Sequence, residues 1–482
     1  MAKLLGIDVG TSGCKVVLLD ERGTVLKQAG AEYPLHVPRP LWSEQDPIDW
    51  WNGVLKCIQE IGEPNVDAIG VTGQMHGSVF LDERDEVVRP AILWNDQRTA
   101  DECQEIDRTV GQDRVRAITC NPPLTGFQAP KLLWLRNHEL AKYQRVRSLL
   151  LPKDYLRFKL TGEKGTEVSD ASGTGLLNVP RRNWSDEMIA ALEIDRSILP
   201  PVDESSVVMG RTKGVPGLAD GIPVVGGGGD QAAGAVGTGA VRTGVISVSL
   251  GTSGVVFTAL EAPNFDPAGA AHTFCHANGA WHAMGVMLSC GGALRWYRDT
   301  LGGGKNYDQI TAEAAEAPVG AAGMTFLPYL SGERTPHNDP RARGALAGLT
   351  LGHDRSHISR AVMEGISFGL LDGYQLLASL GATAEEVRVT SGGAKSRFWV
   401  QMLADMFGTP CVTLECDEGP AYGAAVLAGV GIGAWSSVVA ACDQVIRVRD
   451  LIEPSGADYR AAYARYRDLY PATRTWNHAN DA

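Results

Sequence analysis

One tetrapeptide occurs twice in this chain, each time directly after a run of apolar residues. Gly-Thr-Ser-Gly stands at residues 10–13, behind the apolar run 3–7, and again at residues 251–254, behind the run 245–250. A second apolar run follows each copy, so both read as strand, glycine turn, strand. Their separation is too long for a solenoid, whose period is about 20–50 residues. The repeat therefore predicts two lobes built on one plan.

Predicted strands and helices alternate through much of the chain, which indicates an α/β fold. Strands are predicted at 3–7, 15–19 and 24–28 (an antiparallel meander), and at 68–72, 79–81, 224–225, 245–250, 255–260 and 387–390; helices are predicted at 47–61, 129–137, 358–380 and 398–407. The small-residue stretch 234–244 is the clearest boundary candidate. We expect an N-terminal lobe at 1–243 and a C-terminal lobe at 244–482.

Composition narrows the class of protein. The 482 residues include 44 Lys and Arg against 56 Asp and Glu, so the net charge is −12. An acidic chain lacks the field on which general nucleic-acid and membrane binders depend. No apolar run approaches the roughly 20 residues of a membrane span, and the N-terminus resembles neither a signal nor a transit peptide. The nine scattered cysteines predict reduced thiols. We expect a cytoplasmic enzyme without nucleic-acid or membrane partners.

The first glycine turn is a candidate phosphate loop. Backbone N–H groups of Gly10, Thr11 and Ser12 could face a phosphate, and Lys15 adds a cation. Asp8, just before the turn, could hold a metal ion that bridges phosphates. The alternative is a plain hairpin turn. The pattern is neither a P-loop nor a dinucleotide fingerprint.

A run of four glycines ends at a carboxylate. Residues 226–229 are all glycine and precede Asp230 and Gln231. Such a run is conformationally costly and makes sense where backbone approaches a ligand, with Asp230 placed to receive a proton. The alternative, a flexible linker, conflicts with the apolar residues before it and the small helix-forming residues after it.

Three further polar clusters follow predicted strands. Met75 and His76 lie between glycines behind strand 68–72, although a structural histidine is the simpler interpretation of His76 taken alone. Gly392 and Gly393 could lie against a nucleotide base or ribose. The charged loop 332–336 is either an active-site segment or a salt-bridged loop, and the sequence does not separate the two.

Several segments together resemble the FGGY carbohydrate kinases, whose fold is shared with actin, heat-shock chaperone ATPases and hexokinase. The resemblance runs from residue 4 to residue 425, and within the family it is closest to members that act on the ketopentose D-xylulose. The pair Met75-His76 discriminates most, because glycerol kinases have Arg-Glu there. The segments are Leu41-Trp42-Ser43-Glu44-Gln45-Asp46-Pro47, Gly73-Gln74-Met75-His76-Gly77, Ile92-Leu93-Trp94-Asn95-Asp96 and Leu330-Ser331-Gly332-Glu333-Arg334-Thr335-Pro336-His337.

The resemblance implies two actin-like, ribonuclease H-like ATPase lobes with the active site in the cleft between them. It implies ATP, Mg²⁺ and D-xylulose as ligands, and a homodimer. Its site residues map as follows: Asp230 is the catalytic base, Asp8 the metal-associated carboxylate, Met75, His76, Asp230 and Gln231 the sugar contacts, Gly10, Thr11, Ser12, Gly251 and Thr252 the phosphate loops, and Gly392 and Gly393 the adenosine loop. Gln231 departs from the pattern, because D-xylulose kinases more often carry Asn there.

Three rival interpretations remain open. The same chemistry could act on ribulose, fuculose, gluconate or glycerol. An ATP-switch protein like actin or a chaperone needs no alcohol base, so Asp230 and the Met75-His76 pair argue against that class. A NAD-dependent dehydrogenase is disfavoured because no G-x-G-x-x-G follows the first strand.

Overall fold

Two seven-stranded sheets organise the chain. The structure, a computed structural model, describes residues 1–416 and 418–479. In the first half the strands are β1 (Lys3–Val9), β2 (Gly13–Asp20), β3 (Val25–Glu32), β4 (Glu44–Gln45), β5 (Ala68–Gly73), β6 (Val79–Leu81), β7 (Ala91–Ile92), β8 (Ser148–Leu150), β9 (Thr166–Glu167), β10 (Leu177–Asn178), β11 (Asn183–Trp184), β12 (Val202–Asp203), β13 (Val208–Arg211), β14 (Pro223–Val225) and β15 (Gly228–Gly229). The helices of this half are α1 (Pro47–Ile61), α2 (Ala100–Val110), α3 (Gln112–Thr119), α4 (Gln128–His138), α5 (Leu140–Tyr143), α6 (Pro152–Thr161), α7 (Val168–Ala171), α8 (Asp186–Ala191) and α9 (Asp230–Thr238).

The second half contains the second large sheet and the longest helix. Its strands are β16 (Gly244–Leu250), β17 (Gly254–Leu260), β18 (Ala271–Cys275), β19 (Trp281–Met287), β20 (Thr325–Leu327), β21 (Ala345–Ala347), β22 (Ala384–Thr390), β23 (Cys411–Leu414) and β24 (Val448–Ile452). Its helices are α10 (Gly291–Thr300), α11 (Tyr307–Glu316), α12 (Arg355–Ser379), α13 (Arg397–Phe407), α14 (Gly419–Gly431), α15 (Val438–Val445) and α16 (Arg460–Ala479). A 3-10 turn at Gly392–Lys395 follows β22.

The two sheets share one strand plan, which confirms the prediction from the repeated tetrapeptide. In the first sheet the order is β3-β2-β1-β5-β14-β13, and in the second β19-β17-β16-β22-β23-β24, with β18 added at one edge. The strand before each tetrapeptide pairs with two neighbours. On one side it forms an antiparallel hairpin with the strand that follows the tetrapeptide, β1 with β2 and β16 with β17. On the other side it pairs in parallel, β1 with β5 and β16 with β22. Parallel strands next to a hairpin place both glycine turns at the carboxyl ends of parallel strands, where α/β folds bind ligands.

The predicted elements are present with small changes at their ends. Helix α1 begins at Pro47 behind an N-cap, Asp46, whose side chain accepts a hydrogen bond from the Ile48 N–H. The meander β1–β2–β3 is antiparallel as predicted. Residues 234–238 of the small-residue stretch belong to α9, so residues 239–243 connect the two sheets.

Helix α14 comes from the second half of the chain but covers the first sheet. Its Ala421, Ala425 and Val426 pack in one buried cluster with Leu4 and Val17 of the first sheet. The approach is close enough to require glycine. A Cβ on Gly70 would stand 1.9 Å from the Ala424 carbonyl oxygen, and a Cβ on Gly423 would stand 1.8 Å from the Ala233 carbonyl oxygen of α9. The helix pair α9–α14 therefore joins the halves by backbone contact.

Among the described residues, no helix is both long and apolar enough to cross a membrane.

Candidate functional site

Asp230 and Asp8 face the same space from two elements of the first half. Asp230 is the first residue of α9, directly after the glycine run, and Asp8 lies near the end of β1. Both carboxylates are half-buried. Burial raises the pKa of Asp230 to about 6, although hydrogen bonds from Gln231 oppose the shift. An Asp with this pKa is a stronger base than an exposed one, which suits proton acceptance from an alcohol near neutral pH.

Asp8 has the properties of a cation ligand. Burial, and then the negative charge of Asp230, raise the pKa of Asp8 to about 7, and the cation of Lys15 lowers it. Its Oδ1 atom is buried and has no hydrogen-bond partner. A buried carboxylate oxygen without a donor is costly, and a metal ion or a metal-bound water would satisfy it. The donor type therefore fits Mg²⁺.

A fully buried polar layer holds the glycine run beneath Asp230. The Gly229 N–H donates to Ser169 Oγ at 3.1 Å, and Ser169 Oγ donates to Glu167 Oε1 at 3.0 Å. Lys153 Nζ lies 3.4 Å from Glu167 and 3.4 Å from the Gly226 carbonyl oxygen. These side chains have no exposure, so their hydrogen bonds are not shared with bulk water. The layer fixes the backbone that carries Asp230.

Met75 and His76 lie on the loop behind β5, next to the glycine run that precedes Asp230. A Cβ on Gly229 would stand 3.0 Å from Met75 side-chain atoms, so Met75 packs against the residue before Asp230. His76 Nδ1 lies 2.9 Å from the Gly173 carbonyl oxygen, which only accepts, so Nδ1 carries the hydrogen and Nε2 is a free acceptor. Burial lowers the pKa of His76 to about 3, which keeps the ring neutral. Nε2 can therefore accept from a hydroxyl group.

The ring of His76 is part of an aromatic cluster that joins the two halves. Phe127 lies 4.8 Å from His76 between ring centroids, and Phe274 lies 6.0 Å away. Phe127 comes from the first half and Phe274 from β18 of the second. Met75 packs in the same buried cluster. The wall of the site beside His76 is therefore apolar and is supplied by both halves.

The turn at residues 10–13 is tied to the polar loops around Met75 rather than left open. The Thr11 hydroxyl donates to Gln74 at 3.2 Å and accepts from the Trp94 indole at 2.9 Å. Lys15 forms an ion pair with Glu418, at the start of α14. The predicted phosphate donors Thr11 and Lys15 thus have protein partners, whereas Ser12 is exposed at the tip of the turn.

The second glycine turn and the predicted adenosine loop share one cavity. Gly251, Thr252, Gly392 and Gly393 all line a cavity of about 610 Å³ that also includes Trp399. The cavity is lined by apolar residues such as Leu250, Leu294 and Trp399 together with many polar and charged ones, and its volume is that of a small-molecule site. The structure therefore brings these four predicted residues together.

A smaller cavity lies between Asp230 and residues that neighbour this region. It has a volume of about 150 Å³ and is lined by Asp230, Gln231 and, from the second half, Ser249 and Ser391. The Ser249 and Ser391 hydroxyl oxygens are 3.0 Å apart. Gly392, the next residue, lines the larger cavity. Asp230 thus lines a cavity whose Ser249 and Ser391 side adjoins residues of the glycine-lined pocket, since a Cβ on Gly251 would stand 3.7 Å from Ser249 Oγ and 4.0 Å from Ser391 Oγ.

Two family models match the chain along most of its length. The model of the N-terminal domain of the FGGY family of carbohydrate kinases matches residues 3–237, and that of the C-terminal domain matches residues 246–432. The chain belongs to the FGGY family of carbohydrate kinases. It has their two-domain mixed α/β fold, and it is an ATP-dependent phosphotransferase with an alcohol group as acceptor.

Individual relatives of this kinase are similar over nearly their whole length. A xylulose kinase from Escherichia coli (strain K12) is 44% identical over 444 residues, which cover 90% of this chain and 91% of that protein. A xylulose kinase from Bacillus subtilis (strain 168) is 37% identical over 493 residues, with 99% of each chain covered. The crystal structure of a xyloylose kinase from Brucella ovis superposes with a TM-score of 0.93 at 38% identity, covering 98% of this chain and 100% of that one.

Sequence reasoning gave no role to several residues that line this kinase's site. Phe127 and Phe274 line the wall beside His76, and Ser169 holds the backbone before Asp230. Trp94 was part of a family segment, but only the structure shows its bond to Thr11. No local pattern identifies Phe274, because an aromatic residue on a buried strand reads as ordinary core.

The Gly392→Val substitution should weaken ATP binding by this kinase with little effect on its fold. A Cβ at Gly392 would meet no atom within 4 Å, so a side chain there fills cavity space. We expect the KM for ATP to rise by roughly tenfold, about 1.4 kcal/mol, with the sugar KM little changed. Steady-state kinetics with each substrate varied in turn measures both. Unchanged ATP affinity would show that the nucleotide does not bind in this cavity.

Gly393, the next residue, differs from Gly392 because a side chain there would meet core atoms instead of cavity space. A Cβ at Gly393 would stand 2.6 Å from Leu250 Cβ, so Gly393→Val should lower thermal stability as well.

Proposed function

We propose that the protein transfers the γ-phosphoryl group of ATP to D-xylulose, giving ADP and D-xylulose 5-phosphate. The observation that carries the proposal is the position of Asp230: a half-buried carboxylate of raised pKa, directly after a glycine that packs against Met75, in a cavity that residues of both halves line. The named relatives act on xylulose, which supports this choice of sugar.

Asp230 is proposed as the base. It would accept a hydrogen bond from the terminal hydroxyl group of the sugar, orient that oxygen toward the phosphorus, and take its proton as the bond forms. In a loose transition state bonding to the nucleophile is slight, so the proton leaves late and a modest base suffices. Gln231 and the neutral His76, with Met75, would hold the rest of the sugar.

The nucleotide is proposed to bind in the cavity that Gly392 and Gly393 line, with its phosphates directed toward Asp230. Backbone N–H groups of the two glycine turns would stabilise the charge on the transferred group. Ser12, Gly251 and Thr252 are the proposed donors, because the Gly10 N–H already donates to the Gly13 carbonyl oxygen at 2.9 Å within the turn. Asp8 would hold Mg²⁺, which when bound neutralises phosphate charge.

We propose that the N-terminal lobe, 1–243, holds the sugar and that the C-terminal lobe, 244–482, holds ATP. Support comes from the distribution of the candidate residues, since Asp230 and His76 lie in the first part and the Gly392 cavity in the second. Closure of the lobes would align the substrates and exclude water, which competes as acceptor. The homodimer and the cytoplasmic location remain predictions.

The deciding experiment is ADP release with Mg-ATP against D-xylulose, L- and D-ribulose, L-fuculose, gluconate, glycerol and no sugar. We expect kcat/KM for D-xylulose to exceed that for each other acceptor by at least roughly tenfold, because hydrogen-bonding sites reject analogues with misplaced hydroxyl groups. Preference for another polyol would retain the kinase mechanism and overturn the choice of sugar. ADP release that is indifferent to every acceptor would favour an ATP-switch protein.

A further inference from the structure

We propose that Arg334 is a sugar-specificity residue, supplied by the second half of the chain. Its guanidinium would donate to an acceptor oxygen of the sugar, carbonyl or hydroxyl, at the end remote from the hydroxyl group that is phosphorylated. The inference rests on the proposed function and adds a contact to it. It also resolves the charged loop 332–336 in favour of an active-site segment.

The loop that carries Arg334 is pinned to the edge of the second sheet. The Thr335 N–H donates to the Val286 carbonyl oxygen at 3.1 Å, and the Thr335 hydroxyl donates to the Ala270 carbonyl oxygen at 2.6 Å. Both acceptors lie next to or within strands β18 and β19. Two such anchors one residue after Arg334 fix the backbone from which its side chain extends, and so the direction of that side chain is restricted.

The neighbouring carboxylate does not pair with Arg334. Glu333 is buried, and its Oε1 atom accepts from the N–H groups of Leu288 and Arg334 at 2.9 and 2.8 Å. Glu333 therefore stabilises the loop backbone, and it acts on the guanidinium through its charge rather than through a direct ion pair. Within residues 1–416 and 418–479, no carboxylate forms an ion pair with Arg334.

A buried hydrogen-bond relay orients the guanidinium. The Asn121 amide nitrogen donates to the carbonyl oxygens of Thr119 and Thr273, which fixes Asn121 Oδ1 as the atom facing His272 Nδ1 at 3.1 Å. His272 Nδ1 must then carry the hydrogen, and Nε2 is an acceptor. Arg334 Nη1 lies 3.3 Å from that Nε2 and donates to it. One of the five N–H donors of Arg334 is therefore used in the bond to His272.

The relay ends beside the proposed sugar site. The His272 ring stacks on Phe274 at 5.7 Å and lies 6.3 Å from Phe127, the two aromatic residues that flank His76. The charge of Arg334 is close enough to contribute to the lowered pKa values of His76 and His272. Arg334 therefore meets the same ring cluster as His76, from the opposite half of the chain.

These facts define the ligand chemistry. Arg334 is half-buried, has no ion-pair partner among the described side chains, and directs one of its five N–H donors to His272, which leaves the others for a ligand. A guanidinium only donates, so its partner must offer acceptor oxygens, and a polyhydroxylated ketose offers several. Because Asp230 would bind the hydroxyl group that reacts, Arg334 would donate hydrogen bonds to the part of the sugar that lies against His76. Sugar binding would thereby hold the two halves together.

The test compares Arg334→Met and Arg334→Lys with a matched control, Arg460→Met, whose side chain is 91% exposed on α16. Initial rates with D-xylulose and ATP varied separately give both KM values, and calorimetry measures D-xylulose binding without ATP. We expect Arg334→Met to raise the D-xylulose KM roughly 10- to 100-fold, as expected for loss of a charged hydrogen bond. The ATP KM should stay within about twofold, and Arg460→Met should resemble the unsubstituted protein in both.

Arg334→Lys keeps a cation but loses the planar fork, so its D-xylulose KM should fall between those of the unsubstituted protein and Arg334→Met. The lysine variant also provides a result if the methionine variant does not fold. A D-xylulose KM unchanged in either folded variant, or equal rises in both KM values, would overturn the inference. If the unsubstituted protein phosphorylates D-xylulose, that failure leaves the proposed function standing; if it does not, the proposed function itself has failed.

Discussion

Replacing Asp230 with asparagine is expected to lower kcat for D-xylulose by roughly 10²- to 10⁴-fold, the usual contribution of a positioned general base. The asparagine has nearly the same volume and can still accept a hydrogen bond, so the sugar should bind. It cannot take the proton. The KM for ATP should change little, because Asp230 does not line the cavity in which we propose that the nucleotide binds.

Stability should not fall with activity in this variant. Burial raises the pKa of Asp230, which means that folding disfavours its charged form, and asparagine removes that cost. The matched control is Asp203→Asn, an exposed aspartate of the same half. Rates measured at saturating D-xylulose and ATP, together with thermal unfolding of both variants, separate chemistry from folding. An Asp230→Asn enzyme that retains most of its activity would remove this residue from the mechanism.

The Gly423→Ala substitution is expected to destabilise the whole protein by about 3 kcal/mol or more, at the upper end of the range for overpacked cores. The added methyl group would stand 1.8 Å from the Ala233 carbonyl oxygen and 2.7 Å from the attached carbon. Both are backbone atoms inside α9, so no side chain can rotate away. Helices α9 and α14 would have to separate.

Denaturant unfolding of the purified variant measures this loss. The control is Gly352→Ala, where the added methyl group meets only Thr350 Oγ1 at 3.7 Å on an exposed loop. That variant should unfold within about 0.5 kcal/mol of the unsubstituted protein. Equal stability of the Gly423 and Gly352 variants would show that the α9–α14 contact contributes little. Because Asp230 begins α9, the Gly423 variant should lose activity in parallel with its fold.

Local patterns in the sequence predicted the elements and most of the candidate site. The tetrapeptide at 10–13 and 251–254 predicted two similar lobes because a hairpin with a glycine turn is encoded by adjacent residues. The carboxylate after four glycines was identified in the same way, whereas the pair Met75-His76 depended on the family resemblance, because His76 alone has a simpler structural interpretation.

Contacts between distant segments could not be predicted in this way. Lys15 was proposed as a phosphate cation, yet it meets Glu418 because α14 returns to the first sheet. His272 looks like a core histidine on an apolar strand, and only the packed structure shows that its Nε2 faces Arg334. The ambiguity of loop 332–336 had the same cause, since the partners of Glu333 and Arg334 lie in other parts of the chain.

The return of α14 to the first sheet has a consequence for biosynthesis. The face of that sheet that includes Leu4 and Ala68 is covered by a helix that ends only at residue 431. Domains usually fold as they emerge, N-terminal first. Here the apolar face of the first sheet stays exposed to solvent until nearly the entire polypeptide has been translated. We therefore expect chaperones to bind the nascent chain at this face, and we expect a fragment that ends at residue 243 to aggregate.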